Sequence, residues 1–133
     1  MHSADKTKLF KEELSWMKPE TIVIAEHILA QAPEYFFQVE ASASGKYHPA
    51  FANTKGGLVK HTKAAMHIAY LLWPILLEAE PFTQQDKDDV LLALMFHDVL
   101  KRGLSGVDHT IPEHPEESAM WLSNTVLKEF GFV

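Results

Sequence analysis

The sequence predicts an all-α fold, a compact single-domain helical bundle of about five or six helices. Three observations point there. Apolar residues recur at helical spacing in several separate stretches. No stretch alternates with period two for long enough to make a strand. Prolines at 19, 33, 74 and 115 fall where helices would start, stop or kink. At 133 residues the chain reads as one domain over 1–133, able to bury about two-thirds of its unfolded surface.

Ser3 or Asp5 can cap a first helix whose apolar residues are Leu9, Phe10, Leu14 and Met17. Pro19 ends it and suits the first turn of a second helix, roughly Glu20 to Ala32, which carries Ile22, Val23, Ile28 and Leu29 and stops before Pro33. His27 within it reads as structural, because no other ligand-type side chain accompanies it locally. Pro33-Glu34-Tyr35-Phe36-Phe37 opens a short helix, and these N-terminal helices occupy residues 1–45. From Lys46 to Gly57 the chain is rich in turn formers and reads as a loop, of a length that is usually functional inside a small domain.

A long helix begins near Gly57 and runs to about Trp73, where Pro74 must kink or end it. Leu58, His61, Ala65, Ile68 and Leu72 form its expected inward stripe. His67 lies about 240° round the axis from His61 and should face another target. Thr83 can cap the next helix, which contains seven consecutive apolar residues, Val90 to Phe96, and ends in His97-Asp98. Such a helix belongs inside a domain. The two polar groups at its buried end need a partner: a cation, a hydrogen-bond network or a divalent metal. A second loop, Gly103 to Pro112, holds Asp108 and His109. The last helix starts near Pro115 with Ala119, Leu122, Val126 and Phe130 inward and Gly131 as terminator.

The absence of cysteine rules out disulfides and thiolate metal sites, so any metal must use imidazole and carboxylate. The N-terminus is polar and mixed in charge, unlike a signal peptide, and the longest apolar run, Ala64 to Leu77, is too short to span a bilayer. The expectation is a soluble, cytoplasmic protein without membrane association. The net charge of −6 hides an asymmetry: between Ala41 and Leu77 there is no acidic residue, and Lys46, Lys55, Lys60 and Lys63 give that sector +4. This balance could receive a small anion and does not suit wrapping duplex DNA, although from charge alone a solvated helix face with a few lysines is the favoured reading.

His61, His97 and Asp98 stand out as ligand types. Neighbours on a helix diverge by about 100°, so His97 and Asp98 can converge only on something lying between their directions. A metal meets that requirement, with His61 from an adjacent antiparallel helix completing three corners. Nitrogen and oxygen donors of this kind suit Mn, Fe, Ni, Zn or Mg. A core histidine and a buried imidazole–carboxylate pair are the plainer alternatives.

Three ordered blocks carry a resemblance. Gly56-Gly57-Leu58-Val59-Lys60-His61-Thr62, Ala93-Leu94-Met95-Phe96-His97-Asp98-Val99-Leu100-Lys101 and Glu113-His114-Pro115-Glu116-Glu117-Ser118-Ala119 resemble the HD superfamily of metal-dependent phosphohydrolases. Together with Lys46-Tyr47-His48-Pro49-Ala50, they look most like its small phage-type members, over a motif-bearing core of about 46–122. The resemblance implies an HD-type bundle with His61, His97 and Asp98 as metal ligands. It makes His114 a further ligand where the site is binuclear, so one or two ions are expected, and places Lys101 on a substrate phosphate. Asp98, Lys101 and His114 are then the expected catalytic residues, and Lys60, Lys63 and Lys101 the substrate-binding ones. His114 could instead cap the last helix or protonate a leaving oxygen; His48 and His109 read as solvated loop residues.

The family closes its site with another His block and a late Asp after the third block, and here no Asp follows Asp108. The expectation is therefore a bundle without those last helices, whose missing group is truncated, supplied by a second subunit or lost. An apolar face left open would favour a homodimer. The expected function is hydrolysis of a nucleotide or oligonucleotide phosphoester by metal-activated water; the alternative is a silent HD-like module that binds a nucleotide or a protein.

Overall fold

The computed structural model describes residues 1–41, 50–104, 106–107 and 110–124. Among them are six α-helices and no strand: α1 (Ser3–Leu9), α2 (Lys11–Leu14), α3 (Pro19–Gln31), α4 (Gly57–Ala79), α5 (Gln84–Phe96) and α6 (His114–Leu122). Single 3₁₀ turns lie at Glu34–Phe37, opened by Pro33, and at Ala50–Ala52. No described helix is long and apolar enough to cross a membrane. Lys46 to Pro49, Asp108, His109, Val126, Phe130 and Gly131 lie outside the described residues.

The expected first helix is two. Phe10 leaves helical geometry at φ −111° and ψ 21°, and this turns its fully buried ring onto Phe36, with centroids 6.5 Å apart and planes nearly parallel. Neither Ser3 nor Asp5 caps α1, whose N-cap is His2 without a side-chain bond. Pro19 opens α3, as expected, but the buried face is Thr21, Ala25, Ile28 and Leu29, and Val23 is exposed. Two buried charges anchor the ends of α3. Lys6 donates to the Ala30 and Ala32 carbonyls at its C-terminus. At the N-terminus Asp88, fully buried on α5, accepts from Lys18 N and Thr21 Oγ1 at 3.0 and 2.6 Å. A carboxylate there meets both unpaired N–H groups and the positive end of the helix dipole.

Helix α4 departs from expectation twice. It continues through Pro74 to Ala79. Pro74 is exposed, so the carbonyl deprived of its hydrogen bond faces the water side of the helix. Its inward stripe is Leu58, Val59, Thr62, Met66 and Trp73, whereas Ile68 and Leu72 are exposed. The helix is apolar on opposite sides, so spacing alone could not choose between them.

Thr83 does cap α5: its hydroxyl accepts from Asp86 N, and the Asp86 carboxylate accepts from Thr83 N. The apolar run on α5 is only half enclosed; Leu91, Met95 and Phe96 are buried, but Val90 and Ala93 are exposed. On α6 the buried residue is Ser118, with Ala119 exposed and Leu122 half-buried. The core formed by Phe10, Leu29, Phe36, Leu58, Met66 and Met95 places the start of α4 beside the end of α5.

Candidate functional site

The two glycines before His61 have physical reasons. Gly56 sits at φ 77°, a left-handed conformation that costs glycine little. A Cβ on Gly57 would lie 1.9 Å from the Ala52 carbonyl oxygen, so only glycine allows that approach. Backbone bonds from Gly56 N to Gln38 O and from Leu58 N to Val39 O then pin the first turn of α4. His61 is the fifth residue of this clamped helix.

The turn after α5 is fixed by distant side chains. The Tyr35 hydroxyl donates to Gly103 O at 2.7 Å and accepts from Arg102 N at 3.0 Å. Arg102 pairs with Glu40 at 2.8 Å, and Ser118 Oγ accepts from Leu100 N. Sequence reading missed all four, whose partners lie 18 to 68 residues away.

Asp98 lies at the centre, 5% exposed. Its Oδ2 is 3.1 Å from His97 Nε2, 3.6 Å from His61 Nε2 and 3.5 Å from Lys101 Nζ. Its Oδ1 is 3.1 Å from His114 Nε2. The structure thus brings together His61, His97, Asp98, Lys101 and His114 from three separate blocks. His61, His97 and Asp98 each offer a ligand atom within 4.8 Å of the other two.

Two imidazoles are held in a defined tautomer. His97 Nδ1 lies 2.6 Å from Leu94 O and His114 Nδ1 lies 2.8 Å from Ile111 O. A carbonyl can only accept, so each Nδ1 carries the hydrogen and each Nε2 faces the carboxylate. That nitrogen must then hold either a second proton, shared with Asp98, or a cation. Backbone carbonyls orient metal-binding histidines in this way. The donor set therefore fits a divalent ion bound by imidazole nitrogen and carboxylate oxygen.

The electrostatics favour a charged Asp98. Burial pushes its carboxyl upward, but the contacts from His61 and His97 and the Lys101 charge outweigh that and hold it far below the carboxylate range. The bond to Asp98 raises His97 against the opposing effect of its burial.

The other two lysines do not join the cluster. Lys63, expected on phosphate, turns to α1 and α2: it donates to Leu9 O and lies 3.3 Å from Glu13 Oε1. Lys60 is exposed, and as the neighbour of His61 it points about 100° away from it around α4. His67 has a separate target, as its angle predicted, with Nε2 2.6 Å from Glu13 Oε2. His27 lies beside the Gln31 amide one turn along α3. Compared with known families, curated proteins and solved structures, the chain matches none.

Proposed function

We propose that the chain is a divalent-metal-dependent phosphohydrolase acting on a nucleotide-type phosphoester. The observation that carries this reading is the convergence on Asp98 of three imidazole Nε2 atoms and one ammonium group, with two of the rings tied to carbonyls through Nδ1. His61, His97 and Asp98 would hold the ion, with His114 as the further ligand on the other carboxylate oxygen. An ion so held supplies a Lewis acid and a water that ionises near neutral pH.

The chain's own residues do the rest. Asp98 stays ionised and provides the negative charge that a divalent ion requires. Leu94 and Ile111 carbonyls keep His97 and His114 from rotating away. Lys101, buried with its ammonium against Asp98, offers a fixed positive charge to a phosphoryl oxygen, where charge grows during hydrolysis. The likeness of the three blocks to the HD superfamily supports the same assignment.

Purified protein loaded with Mn, Fe, Ni, Zn or Mg is tested by elemental analysis and by release of phosphate from mononucleotides, cyclic nucleotides and short oligonucleotides. Asp98→Ala should remove both bound metal and hydrolysis; full activity in that variant would end the proposal. Lys101→Ala should retain metal and raise KM for the phosphoester at least about tenfold. Metal uptake without turnover on any of the three substrate types would instead favour a silent binding module.

A further inference from the structure

Helix α4 has a second apolar face that the fold does not use. Leu58, Val59, Thr62, Met66 and Trp73 pack inward. On the opposite side, at spacings of four, three and four residues, lie Ala64, Ile68, Leu71 and Ile75. Leu71 is 73% exposed, the most open large apolar side chain among the described residues; Ile75 and Ile68 are 62% and 59% exposed. Alternation of three and four is the pattern with which one helix packs along another. A helix apolar on both sides is normally enclosed on both sides.

From the sequence and these exposures we infer that this face binds a second copy of the chain, α4 against α4, with the two helices antiparallel. Its charges give the occupant and the direction. Lys60 stands one turn before Ala64, Glu78 stands three residues after Ile75, and both are exposed. Antiparallel packing sets Ile68 against the partner's Leu71, Ala64 against the partner's Ile75, and Lys60 beside the partner's Glu78. Parallel packing would stack Lys60 on its own copy and Glu78 likewise. The contact is isologous, so each pair occurs twice.

The open area allows a modest contact. Ile68, Leu71 and Ile75 are 59%, 73% and 62% exposed. They leave roughly 400 Å² of this face open, within the range of the largest apolar patch on a monomer and about half of one side of a standard interface. A lipid surface fits less well. Helices that lie on membranes carry lysine or arginine along their polar flank. Here no cation occurs between Lys63 and Glu78, and the chain is acidic overall.

Sedimentation of the full chain from micromolar to near-millimolar concentration should show a reversible dimer. Leu71→Glu, at a position that supports no core, should raise the dissociation constant at least about tenfold. Helical circular dichroism should be unchanged, and Ile75→Ser repeats the test at a second position. Because the chain has no cysteine, direction can be read by cross-linking. Ile68→Cys mixed with Leu71→Cys should form a mixed disulfide faster than either variant pairs with itself. A wild type monomeric throughout overturns the inference, as does a dimer untouched by both substitutions. Self-pairing of each cysteine variant overturns the antiparallel direction. A monomer that binds phosphatidylcholine–phosphatidylglycerol vesicles assigns the face to a membrane instead.

Discussion

Two buried carboxylates in this molecule share a neighbourhood of histidine and lysine, and their surroundings are built differently. Glu13, on α2, is fully buried and meets His67 Nε2 at 2.6 Å and Lys63 Nζ at 3.3 Å. Asp98 meets three imidazoles and Lys101. Glu12, Glu13 and His67 also come within metal-ligating distance of one another. At Glu13, however, Oε2 meets one ring nitrogen, and the buried Oε1 has an ion contact to Lys63 without a hydrogen bond. Lys63 is held further by Leu9 O and lies over the Phe10 ring, and His67 packs edge-on against Trp16. That arrangement closes a joint between α2 and α4. At Asp98 three ring nitrogens face two carboxylate oxygens, a donor set that a metal would use. On the proposed function, the number of ring nitrogens per carboxylate is what would separate a joint from a site.

The largest expected effect breaks the joint. Glu13→Ala removes a buried carboxylate whose partners Lys63 and His67 are one-third or more exposed, and should cost about 2–3 kcal/mol in denaturant unfolding. Metal content of the folded fraction should stay at the wild-type level. Loss of metal at that position, with Asp98 intact, would show that the two clusters are not separate.

Gly57→Ala comes next. Its Cβ would collide with the Ala52 carbonyl, so the first turn of α4 must move, at about 1–3 kcal/mol. His61 should move with it, and metal affinity should fall several-fold by calorimetric titration. Unchanged affinity would mean that the clamp on this turn does not set the position of His61.

In metal-free protein the Asp98 cluster should give a pH signature that Glu13→Ala preserves. Asp98 is depressed, so its contribution is full above the ordinary carboxylate value, about 4, and is lost as pH falls below it. His97 is raised, so its contribution is full below its ordinary value, about 6.5, and is lost as pH rises through the higher folded value. The cluster is therefore most stabilising between these values. Thermal unfolding of Asp98→Asn, compared with wild type across this span, should show a flatter profile; identical profiles would remove Asp98 as the source.

Tyr35→Phe is expected to have the smallest effect. It removes a hydroxyl that bridges Gly103 O and Arg102 N, costing about 1 kcal/mol by chemical denaturation. Since Lys101 precedes that bridge directly, KM should change more than metal content. The reverse would place the influence of Tyr35 on the ligands.

The candidate ligands were legible because each sits in a short block whose grammar is local: glycines before His61, an apolar run before His97-Asp98, and Lys101 one turn on. The function of Glu13 was not legible. Nothing near Glu12-Glu13 marks one as buried, since its partners Lys63 and His67 are fifty or more residues away. Lys63 was misread for the same reason: a lysine in a basic sector looks available for phosphate until a distant carboxylate is found beside it. Asp88, Tyr35 and Ser118 are polar residues whose roles also rest on remote partners.

The chain's own pattern of apolar spacing, prolines and a capping threonine determined an all-α bundle, most of its helical segments and the set of candidate ligand residues, because these depend on interactions within a few residues. Tertiary structure decided which face of α4 is buried and which carboxylate gathers three histidines. It also turned Lys63 away from the site and kept Lys101 within it. Those outcomes depend on which remote surfaces meet, and helical periodicity carries no information about a partner on another element.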